Sequence, residues 1–84
     1  MPKTIYRPEH MALLDLLKKH RKASGLTQVE CSKALNRPQS FISDVENGTR
    51  LLDIVQLRDL CLVLGISLPE LAQELENAIT TARQ

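Results

Sequence analysis

Helix-stopping signals recur so closely along this chain that no helix can grow long. Ser24-Gly25, Asn36, Asn47-Gly48 and Gly65 each follow a stretch of helically spaced apolar residues. Glycine, and asparagine to a lesser degree, accept the left-handed backbone in which helices end. Start signals fill the gaps between these stops. Arg7-Pro8, with Glu9 on the favourable side of the helix dipole, opens a first helix whose Leu13, Leu14, Leu16, Leu17 and Ala23 form an apolar stripe. Thr27-Gln28-Val29-Glu30 is a capping box, in which Thr and Glu each satisfy the other's orphan N–H. It opens a second helix carrying Cys31, Ser32, Ala34 and Leu35. Arg37-Pro38 introduces a third, from Gln39 to Glu46, with Phe41, Ile42 and Val45 on its apolar side. Asp53 caps a fourth, with Ile54, Leu57, Leu60, Cys61 and Leu64 directed inward. Ser67-Leu68-Pro69-Glu70 repeats the capping box and opens a fifth, with Leu68, Leu71, Leu75 and Ile79 in register. No segment supports a strand. The expected fold is all-α.

Five short helices must share one core. At 84 residues the chain has room for a single domain, set at 1–84 with its core over about 8–80 and a short N-terminal arm, 1–7. Fifteen leucines and an apolar fraction of 43% supply that core and argue against disorder. No run of 18 apolar residues exists, so a membrane span is excluded. The opening Met-Pro-Lys-Thr-Ile-Tyr-Arg-Pro has no apolar stretch, so no signal peptide is expected. Cys31 and Cys61 belong to no metal-spaced pair and read as reduced core residues of a cytoplasmic protein. His10 and His20 are ten residues apart, about 80° out of phase on a helix. They gather no Cys or carboxylate cluster and read as surface residues of the first helix. With no Gly-rich phosphate loop either, the chain is expected to be no enzyme and to need no metal or other cofactor.

The net charge of +1 conceals a dipole. Residues 1–37 carry eight Lys or Arg against three acids, whereas residues 38–84 carry three Arg against seven. A basic half of this kind can hold a polyanion while the acidic half faces away or meets a partner. The link between the second and third helices, Asn36 to Pro38, is only about three residues and forces a steep crossing. In a helix-turn-helix the first helix of such a pair braces on phosphates and the N-terminal end of the second enters the major groove.

The residues along this pair form a pattern. Gly25-Leu26-Thr27-Gln28, Leu35-Asn36, Gln39-Ser40-Phe41-Ile42-Ser43 and Glu46-Asn47-Gly48 together resemble the XRE family of phage repressor and Cro-type DNA-binding domains. Leu60, Leu64-Gly65 and Ile66-Ser67-Leu68 continue the likeness, which spans roughly Leu13 to Leu75. It implies a compact five-helix, lambda-repressor-like domain that binds duplex DNA sequence-specifically, usually as a homodimer on a two-fold operator. By position, Gln28 resembles the family's phosphate clamp, suited by its amide and its place at a helix N-terminus. Gln39, Ser40 and Asp44 fall where relatives reach base edges, with Pro38 and Ser43 beside them. A glutamine amide can pair with adenine N6 and N7, and a carboxylate can accept from cytosine N4. Asn47, Thr49 and Arg50 correspond to a loop that grips the backbone again, and Lys33 and Arg37 could add phosphate contacts. Arg21 corresponds to an arginine that pairs bidentately with the glutamate of the third helix, here Glu46.

Departures from the pattern matter as much. Asn36 stands where glycine is usual, and Cys31 and Ser32 where leucine and alanine are. Ser32 therefore needs a backbone partner. Arg37 and Pro38 replace the usual apolar residue and hydroxyl of the turn. Asp44 replaces a basic or amide residue, so the third helix has no Lys or Arg. The implied function is a transcriptional regulator, most simply a repressor that occupies an operator. Leu51, Leu52, Leu68, Leu71 and Leu75 are candidates for a dimer seam, unless the monomer's core absorbs them. A rival reading is an antitoxin-like module that holds a partner protein through Glu70, Glu74 and Glu76 and binds its own promoter, though no long tail is present to wrap a toxin. A third is a helical interaction domain that has lost DNA binding, for which Asp44 speaks.

Overall fold

Thr27, Asp53 and Ser67 each meet the backbone N–H three residues on, and a helix begins behind each of them. The computed structural model describes residues 7–82. In chain order the helices are α1, Pro8–Ala23; α2, Gln28–Ala34; α3, Phe41–Glu46; α4, Ile54–Leu64; and α5, Leu68–Ala82. No strand occurs among the described residues. The first six residues of the arm, Lys3 and Tyr6 included, lie outside them. No described helix is long and apolar enough to cross a membrane.

Both capping boxes form in full. Thr27 Oγ1 accepts from Glu30 N at 3.0 Å, and Glu30 Oε1 accepts from Thr27 N at 2.9 Å. Ser67 and Glu70 repeat the exchange at 3.2 and 3.3 Å. Asp53 makes a third box with Gln56, at 2.7 and 3.0 Å, where only a single cap was expected. Four helices end in the same wound turn, a six-residue hydrogen bond closing around one left-handed residue: Leu26 N to Arg21 O, Arg37 N to Ser32 O, Thr49 N to Asp44 O and Ile66 N to Cys61 O. The left-handed positions are Gly25, Asn36, Gly48 and Gly65, so Asn36 takes the place of a fourth glycine at φ 58°.

Helix α3 starts later than its sequence suggests. Gln39 and Ser40 lie in a turn closed by Phe41 N donating to Pro38 O at 2.9 Å, and the helix begins at Phe41. Ser40 makes no side-chain cap. The cap comes from α2, where the wholly buried Ser32 accepts from Ile42 N at 3.0 Å. The hydroxyl thus has its backbone partner, and α3 is tied at its first turn to its neighbour.

Helix α1 packs on α5 and α3, α2 on α3, and α4 on α5. Leu14 and Leu17, Cys31, Ile42 and Val45, Leu60 and Leu64, and Leu71 bring all five helices into one core. Burial pushes the thiols of Cys31 and Cys61 up, which keeps both protonated and inert. Five positions differ from their expected environments. Ile54 is 64% exposed at the start of α4, and Ala23 is exposed at the end of α1. Leu71, a candidate for the seam, is 1% exposed and belongs to the monomer's own core. The histidines are not simple surface residues. His20 Nε2 meets Glu74 Oε1 at 2.7 Å across α1 and α5, and His10 Nε2 is buried without a hydrogen-bond partner among the described residues. Apolar spacing gives the inward face of a helix, but not which neighbour covers it.

Hydrogen bonds from Thr27 and Ser67 hold the Glu30 and Glu70 carboxyls below the ordinary value of 4.5. Folded-state values lower than unfolded ones contribute stability that is present above that value and lost as pH falls through the depressed ones. Glutamine keeps the acceptor oxygen and removes the titration. The double variant E30Q/E70Q is therefore expected to lose less melting temperature than the parent between about pH 5 and pH 3. Parallel acid melting curves for the two proteins would refute the assignment.

Candidate nucleic-acid interface

The α2–α3 pair is joined by residues 35–40, wound tightly through Asn36. What fixes α3 lies at its other end. Glu46, in its last turn, has a side chain only 6% exposed. Its carboxylate receives Arg21 Nε on Oε2 at 2.6 Å, and Arg21 Nη2 and Gln28 Nε2 on Oε1 at 3.2 and 3.0 Å. Arg21 Nη1 also donates to Leu26 O at 2.8 Å, in the turn between α1 and α2. One carboxylate therefore joins α1, the start of α2 and the end of α3. The hydrogen bonds that Arg21 donates to Glu46 raise its tendency to stay protonated, outweighing the opposing effect of its burial. A charge pair this secluded is stable because the fork geometry satisfies both partners.

Gln28 thus has an internal partner that its sequence position did not disclose. Its amide bonds to Glu46 and keeps one N–H for another acceptor. Pro38, Gln39 and Ser40 are exposed in the turn before α3, while Ser43 and Asp44 are half-buried on the helix itself. Phe41, Ile42 and Val45 take the buried side. The Asp44 carboxylate has no hydrogen bond or ion pair among the described residues, although its backbone oxygen accepts from Thr49 N and Arg50 N at 3.0 and 3.1 Å. Beyond the helix, Asn47 Oδ1 accepts from Thr49 N at 3.0 Å and Thr49 Oγ1 at 2.7 Å, leaving the Asn47 NH2 group as donor. Lys33, Arg37 and Arg50 are exposed and make no ion pair among the described residues. The structure therefore brings the candidate base-reading residues onto one turn and one short helix. Donors without internal carboxylate partners precede and follow that stretch in the chain.

Comparisons with known proteins identify the fold that carries these residues. The profile of a family described as a helix-turn-helix domain matches residues 12–75. An XRE-family like protein from Pseudomonas syringae pv. tomato is 43% identical, with 90% of this chain and 93% of that chain covered and a TM-score of 0.82. The chain belongs to the XRE family of helix-turn-helix domains. It is a DNA-binding domain of the transcriptional-regulator type. The clp gene regulator ClgR from Corynebacterium glutamicum shares the fold, at a TM-score of 0.76 and 24% identity over 92% of this chain and 84% of its own. A search of curated proteins finds no match.

Removing Arg21 leaves a secluded carboxylate with Gln28 as its one remaining donor. Arg21→Ala is expected to cost about 3–5 kcal/mol in urea unfolding, a large part of a small domain's stability. Arg21→Met combined with Glu46→Gln leaves no unpaired charge and is expected to cost less than Arg21→Ala alone. Equal losses in the two variants would show that the ion pair does not tie the helices together.

Proposed function

We propose that this XRE-family domain is a transcriptional repressor that occupies a two-fold operator as a homodimer. The observation that carries this reading is the Gln39–Asp44 stretch. It presents the exposed Gln39 and Ser40 in the turn and the half-buried Ser43 and Asp44 on a helix held from behind by Glu46, with exposed cations free of ion pairs among the described residues on both sides of it in the chain. In this reading Gln39, Ser40 and Asp44 meet base edges, with Pro38 and Ser43 alongside them. Gln28, Lys33, Arg37, Asn47, Thr49 and Arg50 meet the backbone. Gln28 serves with its remaining N–H and Asn47 with its NH2 group.

A second copy has a place to dock. Leu13, Ile54, Leu57, Leu68, Ala72 and Leu75 line an apolar groove of about 410 Å³ between α4 and α5, with Leu71 also in its wall. Ile54 and Leu51 are 64% and 51% exposed. Of the expected seam, Leu68 and Leu75 line this groove, Leu51 is open to solvent, and Leu52 is half-buried against the core. Pairing through this face supplies the symmetry that an operator of two half-sites requires. The antitoxin-like alternative has less to work with, because Glu74 is engaged by His20 and Glu70 by Ser67.

Selection of bound sequences from a random duplex library is expected to recover a two-fold symmetric motif. Recovery of no motif by folded protein would overturn the repressor reading in favour of a protein-binding module. On the recovered site, Asp44→Asn is expected to remove discrimination worth about 1–3 kcal/mol at one cytosine-bearing position. Unchanged preference at every position would remove Asp44 from the base-reading set. Ile54→Glu places a charge in the groove and is expected to abolish dimers in sedimentation and to weaken operator binding. A dimer that survives this substitution would exclude the α4–α5 face.

A further inference from the structure

Phe41 opens α3, a residue 6% exposed that belongs to the core. Two arginines reach its ring from outside any helix. The Arg37 guanidinium carbon, in the α2–α3 link, lies 5.3 Å from the ring centroid. That of Arg50, beyond the end of α3, lies 5.0 Å from it. Both are within the roughly 6 Å over which an aromatic face attracts a cation. Neither arginine has an ion pair among the described residues. Asp59 of α4 lines the same small cavity as Arg37 and Phe41, yet it does not neutralise the arginine.

Two like charges gathered at one ring repel each other, and a fold indifferent to them would let both side chains swing into water. The ring's negative face offsets part of that repulsion, and no carboxylate of the described residues comes within ion-pair distance of either guanidinium. What remains is a pair of guanidiniums without ion-pair partners among the described residues and with restricted freedom, suited to an anionic surface with several acceptor oxygens. Held in advance, the two long side chains lose less freedom when such a surface arrives.

We propose that Phe41 is a positioning residue for DNA binding: its ring gathers Arg37 and Arg50 into a single clasp for the phosphate backbone. The proposal rests on the DNA-binding function proposed above. Phe41 acts through the arginines and need not touch DNA itself. The apolar environment of the ring alone does not require an aromatic residue, since leucine would also fill a core. The two cations over its ring do give a reason for one.

The test is the affinity of the full chain for its selected duplex between about 50 and 200 mM salt, with the fold of each variant checked by circular dichroism. Phe41→Leu keeps an apolar side chain and removes the aromatic face. It is expected to weaken binding by about 5- to 30-fold, from two exposed cation–π contacts. It should also make the logarithmic salt slope shallower by up to about 0.9 for each phosphate that is no longer neutralised. Phe41→Tyr keeps the face and should retain both affinity and slope. In an R37Q/R50Q background, Phe41→Leu should weaken binding no further. Parental affinity and slope in F41L, or an undiminished loss in the R37Q/R50Q background, would overturn the role of Phe41 while leaving DNA binding intact. A parent that binds no duplex at all would overturn both. A check without substitution covers the case in which F41L does not fold. The δ-methylene protons of Arg37 and Arg50 in the free protein should resonate upfield of exposed arginines, and unshifted signals from both would overturn the clasp.

Discussion

The carboxylate of Glu46 is the point on which this small fold turns. A secluded charge is tolerated only when nearly every lone pair has a donor, and here donors come from two different helices. The consequence is mechanical as well as electrostatic. Helix α3 has six residues, far fewer than an isolated helix needs to persist in water. Its end is fixed by Arg21 of α1 and Gln28 of α2, and its beginning by Ser32 of α2. Neither restraint uses a residue from the exposed side of α3. The outward positions are thereby left available for contact, while their backbone is held as firmly as a core element. Recognition surfaces need that combination, because side chains must meet their targets within a fraction of an ångström.

Local chemistry made much of this legible before the structure. The capping boxes at Thr27 and Ser67, the glycines and Asn36 mark helix ends through hydrogen bonds that span only a few residues, so sequence spacing alone exposes them. Ser32 announced its need for a backbone partner by being a hydroxyl at an apolar position, but not that Ile42 would provide it. Long-range relations were harder to read. The engagement of Gln28 by Glu46 links residues 18 positions apart, and that of His20 by Glu74 spans 54. Helical periodicity carries no record of either. Leu71 and Ile54 exchanged their expected environments for the same reason. Helix α5 turns Leu71 into the core, while Ile54, in the first turn of α4, stands largely exposed at the edge of the groove it lines. The start of α3 was misplaced by two residues, because the Pro38 turn imitates a helical start without continuing as one.

An acidic residue on a recognition helix calls for its own account. A carboxylate near a phosphate costs about 1 kcal/mol at 4 Å in water, and more where solvent is excluded. A well-formed contact with a base returns about 1–3 kcal/mol. These magnitudes are close enough that, in the proposed reading, Asp44 is favourable opposite a donor such as cytosine N4 and unfavourable opposite an acceptor. Such a residue adds discrimination and takes away general affinity. Attraction to DNA must then arise elsewhere, and the exposed cations do lie elsewhere in the chain: Lys33 and Arg37 before α3, and Arg50 after it. Separating attraction from reading in this way has a physical merit. Backbone charges hold any duplex about equally, so they add affinity without sequence information, whereas neutral and acidic groups on α3 add selectivity without strengthening binding everywhere. A basic residue at position 44 would do both at once and would raise the affinity for wrong sites along with that for the right one.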